Sequence, residues 1–512
     1  MQVVTGEEMG RIDRFTIEEI GLKEEVLMES AGRAAANKIM ESISPSDNVG
    51  ILIGTGNNGG DGFVIARCLL DAGFKVDVWL IPPESKVKGA ALYHLNVFKN
   101  SGYTFADYSS FKSDEKEVPG QWDVIVDTLL GTGVQGSLRE PYHAIVQSIN
   151  QSSCKVISVD IPSGVPANKG EVEGEAVKAS VTFILQSPKL SAFLAPADEY
   201  YGKWECVDIG LPIRAYHAVK PDRYLWSREQ VSASFPARNK HTHKGSYGKG
   251  LLAGGSIHMT GAPVLAATSA LRSGAGLLTT AVPEEALSTV ASQVAESTFL
   301  PLPSKEGEVS EEVGTLDLSL SNYDGVAAGP GLGRNEGTRT FVQKLLNEVK
   351  GPLVLDADAL FVLKELGEEW RKRDFPLILT PHPGELAHLT GLSPAEVNRQ
   401  RFSISRSFAA QHGCYLILKG PHTIVTTPEG RQYVNDSGNP SLAKGGTGDV
   451  LTGMILSFVM SHSAIQEALS NAVFLHGKAA DMLVDDVSSP HSVVAGDVVQ
   501  QLPLTFRSIL HS

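Results

Sequence analysis

Short apolar runs alternate with helical patterns along the first half of the chain. Residues 49–56 (VGILIGTG) are strand-like, 61–73 (DGFVIARCLLDAG) have helical spacing and end on a glycine suited to a C-cap, and 75–81 (KVDVWLI) return to a strand. A helical pattern covers 89–102, and 122–133 (WDVIVDTLLGTG) and 154–164 (CKVISVDIPSG) each carry an apolar strand into a turn of small residues. An alanine-rich helix is expected over 26–43. Strand, helix and strand at this spacing predict parallel units in a sheet covered on both faces. Ligands of such sheets collect beyond the carboxyl ends of the strands. The loops at 54–62, 127–137 and 160–164 all follow strands, so they are expected to converge on one edge.

The second half repeats the α/β pattern, with strand-like runs at 248–256, 276–283, 323–333, 351–360, 375–385 and 414–427. Small-residue helices are expected at 262–276 and 449–460. Between the halves, 208–248 has little periodicity and three prolines, which places a domain boundary near 215–235. A chain of 512 residues exceeds one ordinary core, and two or three domains are expected. The net charge of -14 argues against nucleic acid as a partner, although backbone N–H groups can still bind small anions locally. Four scattered cysteines read as free thiols in a reducing compartment. With no secretory h-region and no apolar run of spanning length, a cytoplasmic protein is expected.

The loop 54–62 (GTGNNGGDG) lets the backbone come close to an anion at the positive end of a helix. Asn57 and Asn58 add side-chain donors and acceptors that a bare turn would not need. Asp127 and Asp160 stand at strand ends before small-residue turns, where a single acid is more often a cap. Together with Asn58, Asp61 and Ser163 they gather oxygens on one edge, which suits a hard cation and ribose hydroxyls.

In 443–453 (AKGGTGDVLTG), Gly445, Gly446 and Gly448 can form a nest of N–H groups at a helix start, suited to a phosphoryl group in transit. A carboxylate beside that hole is costly unless it serves the chemistry. Asp449 could take the proton of a hydroxyl that attacks phosphorus; the plain alternative is a helix-start residue. Neither glycine loop is a P-loop. His382, in TPHPGE (380–385), sits in a rigid turn that is as readily structural as functional. Lys419, in LKGPHTIV (418–425), ends a strand where a cation could meet nucleotide phosphate, though alone it would be an ordinary surface lysine. GPGLG (329–333) lets a ligand lie against the backbone. HTHKG (241–245) has no further ligands spaced with it and reads as loop or site wall rather than a zinc site.

Taken in order, these motifs resemble two families over nearly the whole chain. MESAG (28–32), GTGNNGGDG, DTLLGTG and DIPSG resemble the NAD(P)H-hydrate epimerase family. GPGLG, TPHPGE, LKGPHTIV and KGGTGDVLTG resemble the NAD(P)H-hydrate dehydratase family, which has a ribokinase-like fold. The resemblance implies an α/β chain: a Rossmann-like three-layer α/β/α epimerase domain over 1–220, then a ribokinase-like α/β dehydratase domain over 221–512. It implies repair of hydrated NADH and NADPH, in which R and S hydrates are interconverted. The S form is dehydrated at the expense of ADP, giving NAD(P)H, AMP and phosphate.

Carried across residue by residue, the epimerase pattern puts Asn57, Asn58, Gly59, Gly60 and Asp61 on the hydrated dinucleotide. It adds Gly131, Thr132, Gly133, Val134, Gln135, Gly136 and Ser137, and sets Asp160 beside the reacting end as the candidate for handling the proton. The same pattern assigns Asn58, Asp127 and Ser163 to K⁺. In the second half, Ala262, Gly333, His382 and Asp449 match positions facing the hydrate. Lys419, Gly420, Pro421, His422 and Thr423 match the nucleotide site together with Gly445, Gly446 and Gly448, with Mg²⁺ at the transferring phosphate. Two departures stand out: Thr380 where asparagine is frequent, and a loose match over 254–263 that makes Ala262 the weakest transfer. A homo-oligomer without nucleic-acid or membrane partners is expected.

Two other readings fit the residues. The second half could phosphorylate a vitamin precursor or sugar and release a stable product, since a fold does not fix a function. The first half could be a binding module without catalysis, against which the full set of Asn58, Asp127, Asp160 and Ser163 weighs.

Overall fold

The computed structural model describes all residues except 109–121, 368–369, 371–372, 487 and 511–512. The chain forms two compact units, Gln2–Asp222 and a second made of Met1 with Arg223–Ser512.

The first unit is built on seven strands: β1 (Asn48–Ile53), β2 (Lys75–Leu80), β3 (Ala106–Asp107), β4 (Val124–Thr128), β5 (Lys155–Val159), β6 (Val181–Leu185) and β7 (Lys203–Val207). Their order is β3-β2-β1-β4-β5-β6-β7, and every pairing is parallel. β4 is buried at all positions, as an apolar run covered on both faces must be. The alanine-rich stretch forms the helix Glu24–Ser42, which packs on Asn57–Asp71 so closely that a Cβ at Gly32 would stand 2.4 Å from Val64 Cβ. Small residues there set the spacing of the two helices, and the order of strand addition reverses between β1 and β4. Such a reversal opens a crevice at the carboxyl ends of the strands. At this point the first two loops touch, since a Cβ at Gly54 would lie 1.8 Å from the Leu129 carbonyl oxygen, so only glycine fits.

The second unit holds a ten-stranded sheet and a small two-stranded one. Its strands are β8 (Arg223–Leu225), β9 (Lys249–Ala253), β10 (Leu277–Pro283), β11 (Thr298–Leu302), β12 (Ser304–Lys305), β13 (Glu308–Val309), β14 (Gly325–Ala328), β15 (Leu353–Leu355), β16 (Leu377–Leu379), β17 (Tyr415–Leu418), β18 (Ile424–Thr426) and β19 (Gln432–Val434). The order is β11-β10-β9-β14-β15-β16-β17-β18-β19-β8, parallel from β11 through β17, with antiparallel pairings on both sides of β18. The stretch 414–427 folds as two strands, β17 and β18, and not as one. Gly420 and Pro421 fall in its middle, and Pro421 has no N–H for a ladder. The order of strand addition reverses between β9 and β14.

The helices Gly261–Arg272 and Thr447–Ser461 cover this sheet and cross in contact, because Gly453 admits the Ala266 carbonyl at the distance where a Cβ would meet it, 2.0 Å. Gly453→Val is therefore expected to lower the stability of the second unit by about 1–3 kcal/mol, or to abolish folding. A denaturant midpoint unchanged from the parental chain would contradict this packing. Among the described residues, no helix is long and apolar enough to cross a membrane, and all four cysteines are free thiols.

Candidate active sites

The carboxyl ends of β1, β4 and β5 bring the three first-half loops to one edge, around a cleft of about 770 Å³. Asn57, Asn58, Asp61, the run from Gly131 to Ser137, and Asp160 line it. Gly59 and Gly60 can offer a ligand only their backbone, since a Cβ would stand 2.1 Å from the Gly54 oxygen at the first and 2.3 Å from Met28 Sδ at the second. They are close-packing positions that let the helix start pass under the cleft. That helix has Gly56 at its N-cap with no side chain capping it, and its first backbone bond is Gly60 N–H to Gly56 O at 3.0 Å. The earlier N–H groups lack helical partners and are free for an anion.

Below the cleft lies a knot of oxygens. The fully buried Asp127 accepts from Ser163 Oγ at 2.6 Å, Ser163 N at 2.9 Å, Ser158 Oγ at 2.9 Å and Leu129 N at 3.2 Å. Burial nonetheless raises its carboxyl above the ordinary range, and the hydrogen bonds from Ser163, Leu129 and Ser158 only partly offset it. Asn58 Nδ2 donates to the Leu130 carbonyl at 2.8 Å, and Ser163 Oγ lies 3.2 Å from the same oxygen, so all three residues meet around Leu130. Asn58 Oδ1 is buried and has no hydrogen-bond partner.

Asp160 occupies a backbone conformation with φ of 67°, strained for a residue with a side chain. Its Oδ1 is bound by the ammonium of Lys189, a side chain 1% exposed, and by Leu185 N–H at 3.1 Å. Asp13, on the helix Gly6–Glu18, and Lys189 both line the cleft, and no sequence motif marked either. Burial pushes Asp13 up to about 6, Lys189 lowers it, and the charges of Asp160 and Glu24 raise it.

In the second unit, the loops after β9, β14, β15, β16 and β17 and the start of the helix Thr447–Ser461 come together. A Cβ at Gly254 would lie 2.6 Å from Pro330 O, and one at Gly331 3.3 Å from Ala262 Cβ, which ties Ala262 to the GPGLG turn. Gly333 N–H donates to Asp358 Oδ2 at 3.1 Å, and Arg334 Nε to Asp358 Oδ1 at 2.8 Å. Gly446 is the N-cap with φ of 91°, a left-handed conformation suited to glycine, and no side chain caps the helix. Lys444 cannot serve the nest, because its Nζ donates to the carbonyls of His491 and Val493 at 2.6 Å each. Gly445 is exposed at the mouth.

The cation at the nest is Lys419. Its Nζ donates to Asp356 Oδ1 at 2.8 Å, stands 3.9 Å from Glu385 Oε2, and would lie 3.6 Å from a Cβ at Gly448. Thr452 Oγ1 donates to the other oxygen of Asp356 at 2.7 Å. Burial alone would raise Asp356, but Lys419 and its hydrogen bonds hold the carboxyl below the ordinary range. Burial pushes Asp449 up to about 7, helped by the charges of Asp356 and Asp358 and opposed by Lys419. Asp449 is a half-buried acid in the first turn of the helix whose N-terminus no side chain caps.

His382 plays a structural part as the N-cap of the helix Pro383–Thr390, with Nδ1 accepting from Gly384 N at 3.0 Å and Glu385 N at 3.2 Å. Its ring remains exposed. The segment from Lys419 to Thr423 is shaped by Arg401, which donates to the carbonyls of Leu418 at 3.1 Å and His422 at 3.0 Å, while Thr423 Oγ1 bonds Gly420 O at 3.1 Å. His243 caps a short turn through Gly245 N at 3.1 Å, and no cluster of three or more His, Cys, Asp or Glu side chains able to hold a metal occurs among the described residues.

Residues 24–191 match the family model described as YjeF-related protein N-terminus, and residues 250–503 match that described as NAD(P)H-hydrate dehydratase. The bifunctional NAD(P)H-hydrate repair enzyme Nnr of Moorella thermoacetica is 34% identical over 99% of this chain and 97% of its own length. Its namesake from Thermofilum pendens is 35% identical over the same shares. The structure of an ADP/ATP-dependent NAD(P)H-hydrate dehydratase from Bacillus subtilis, co-crystallised with ATP and Mg²⁺, covers 56% of this chain and 98% of that one, at 35% identity and a TM-score of 0.51. Fold and sites together define a two-unit α/β enzyme: a Rossmann-like first half and a nucleotide-binding, ribokinase-like second half. More particularly, the chain belongs to the bifunctional NAD(P)H-hydrate repair enzymes, with an epimerase and a dehydratase activity.

Proposed function

We propose that the 1–220 domain interconverts R and S hydrates of NADH and NADPH and that the 221–512 domain dehydrates the S form at the expense of ADP. The observation that carries the second activity is Asp449, pushed up to about 7 beside a nest of free N–H groups and the Lys419 ammonium. Asp449 takes the proton of the C6 hydroxyl as that oxygen attacks the terminal phosphorus of ADP, and AMP departs. The ring nitrogen then expels phosphate from C6, and loss of a C5 proton restores the dihydronicotinamide. Phosphate leaves far more readily than hydroxide, which is the reason to spend a nucleotide.

Gly445, Gly446 and Gly448 would receive the transferring charge, Lys419 through Thr423 the nucleotide, and Ala262, Gly333 and His382 the hydrate. Mg²⁺ binds through phosphates and one or two carboxylates, so it would enter with the nucleotide and neutralise charge on it. Nucleotide-dependent recovery of NADH absorbance from purified S hydrate tests this reading, with ADP and ATP compared. A stable phosphorylated product without NADH would show a kinase instead.

In the first unit, Asp160 would lie beside C6, and the run from Gly131 to Ser137 along the dinucleotide. Asn58 Oδ1, buried without a partner, supports a K⁺ held by Asn58, Asp127 and Ser163, because an all-oxygen donor set suits a hard monovalent ion and an orphaned amide oxygen is costly. K⁺ is expected to raise the melting temperature of the parental chain and to leave Asn58→Ala unmoved, by the linkage of binding to folding. Equal shifts in the two proteins, or none in either, would remove the assignment. The reading includes a homo-oligomer working in the cytoplasm, whose reducing conditions suit the four free thiols.

A further inference from the structure

The first-unit cleft collects more acid than a single carboxylate function requires. Asp13, Asp61 and Asp160 line it with Glu24, against the buried Lys189 and the exposed Arg139. Lys189 is committed to Asp160, whose Oδ1 it binds together with Leu185 N–H. Asp61 has no such support. The residue is 7% exposed, and among the described residues its side chain forms no hydrogen bond and no ion pair. Burial, then the charges of Asp160 and Asp13, hold its carboxyl well above the ordinary range, with Lys189 pulling weakly the other way. Asp13 is raised only to about 6. Neighbouring acids whose surroundings drive them apart divide the roles of proton donor and fixed charge.

We propose that Asp61, with Asp13 as its electrostatic partner, is the acid–base residue of the first-unit reaction, and that Asp160 held by Lys189 is a fixed negative charge facing the ring. The assignment rests on the epimerase reading above and moves the proton from Asp160 to Asp61. Asp61 O–H protonates the C6 hydroxyl, the C6–O bond breaks with its electron pair on oxygen, and water leaves. The ring nitrogen lone pair forms a C=N bond, and the resulting cation lies against the Asp160 carboxylate. Water returns to the other face of the planar ring, the C=N pair goes back to nitrogen, and the proton lost by that water goes back to the Asp61–Asp13 pair. Atoms and charge close without an oxidant or a nucleotide.

The test is the pH dependence of R/S interconversion by the full chain, starting from separated R hydrate and corrected for the spontaneous reaction. The protonated acid is the active form, so the rate holds at low pH and falls as pH rises through the ionisation of Asp61. Asp61→Asn is expected to lower the rate by about 10²–10⁴-fold, the range for loss of a general acid. Asp13→Asn removes a like charge, lets Asp61 ionise earlier, and moves the high-pH fall to lower pH. A merely structural Asp61 would not make that second shift, and the shift remains a test even if Asp61→Asn fails to fold. An Asp61→Asn protein at the parental rate, or an Asp13→Asn profile with its high-pH limb in place, overturns the assignment. A parental chain that does not interconvert the hydrates at all would instead overturn the epimerase reading beneath it.

Discussion

Asp449→Asn should lose nucleotide-dependent dehydration by about 10²–10⁴-fold while R/S interconversion continues at the parental rate. The substitution keeps the size of the side chain and removes its ability to accept a proton. It also removes the like-charge repulsion that Asp356 and Asp358 exert at this position, so the variant is expected to fold at least as stably as the parent. The pH dependence has a definite sign. Burial pushes Asp449 up to about 7, and only the ionised form can act as base, so kcat/KM for S hydrate should rise with pH through an inflection about 7. Because kcat/KM reports the free enzyme, that inflection belongs to the ligand-free site. A flat profile across neutrality, or near-parental dehydration by Asp449→Asn in single-turnover measurements, would remove Asp449 from the chemistry.

Asp160→Ala is the counterpart in the first unit. It deletes the carboxylate bound to Lys189 and leaves that ammonium, 1% exposed, without its counter-charge. Breaking a buried ion pair from one side costs about 3–5 kcal/mol, so the first unit should melt earlier. R/S interconversion should fall by about 10²-fold or more, the scale of lost electrostatic stabilisation of a developing charge. The double variant Asp160→Ala with Lys189→Met separates the two effects: it should recover much of the stability and none of the activity. Recovery of both would mean that the pair is only scaffolding.

What was legible in the sequence follows from how each feature is encoded. The parallel sheets were readable because a strand buried on both faces must be an unbroken apolar run, as β4 is. The glycine loops were readable because close approach excludes every other residue, as at Gly54. What packing requires of the individual glycines was not legible: the missing side chains at Gly59 and Gly60 make room for Gly54 and Met28. Lys419 stood out at a strand end, but its partner Asp356 did not. An acid in LDADAL looks like a helix-start residue until the fold sets it 2.8 Å from Lys419 Nζ. Asp13 and Lys189 carry no local signal at all, since one lies on an ordinary amphipathic helix and the other in a loop 29 residues beyond Asp160. The backbone strain at Asp160 and at Ala357, with φ of 67° and 49°, is likewise set by tertiary context and not by residue type.

The central claim is that one chain carries both activities and uses them in sequence. It is tested most directly by giving the full-length protein a mixture of R and S hydrates with ADP, Mg²⁺ and K⁺, and following both epimers to completion. The account predicts that the parental chain converts the whole mixture to NADH at an enzymatic rate, that Asp160→Ala rapidly consumes only the S fraction, and that Asp449→Asn yields no NADH. Rapid consumption of both epimers by Asp160→Ala, or a parental chain that leaves the R hydrate behind, would contradict it.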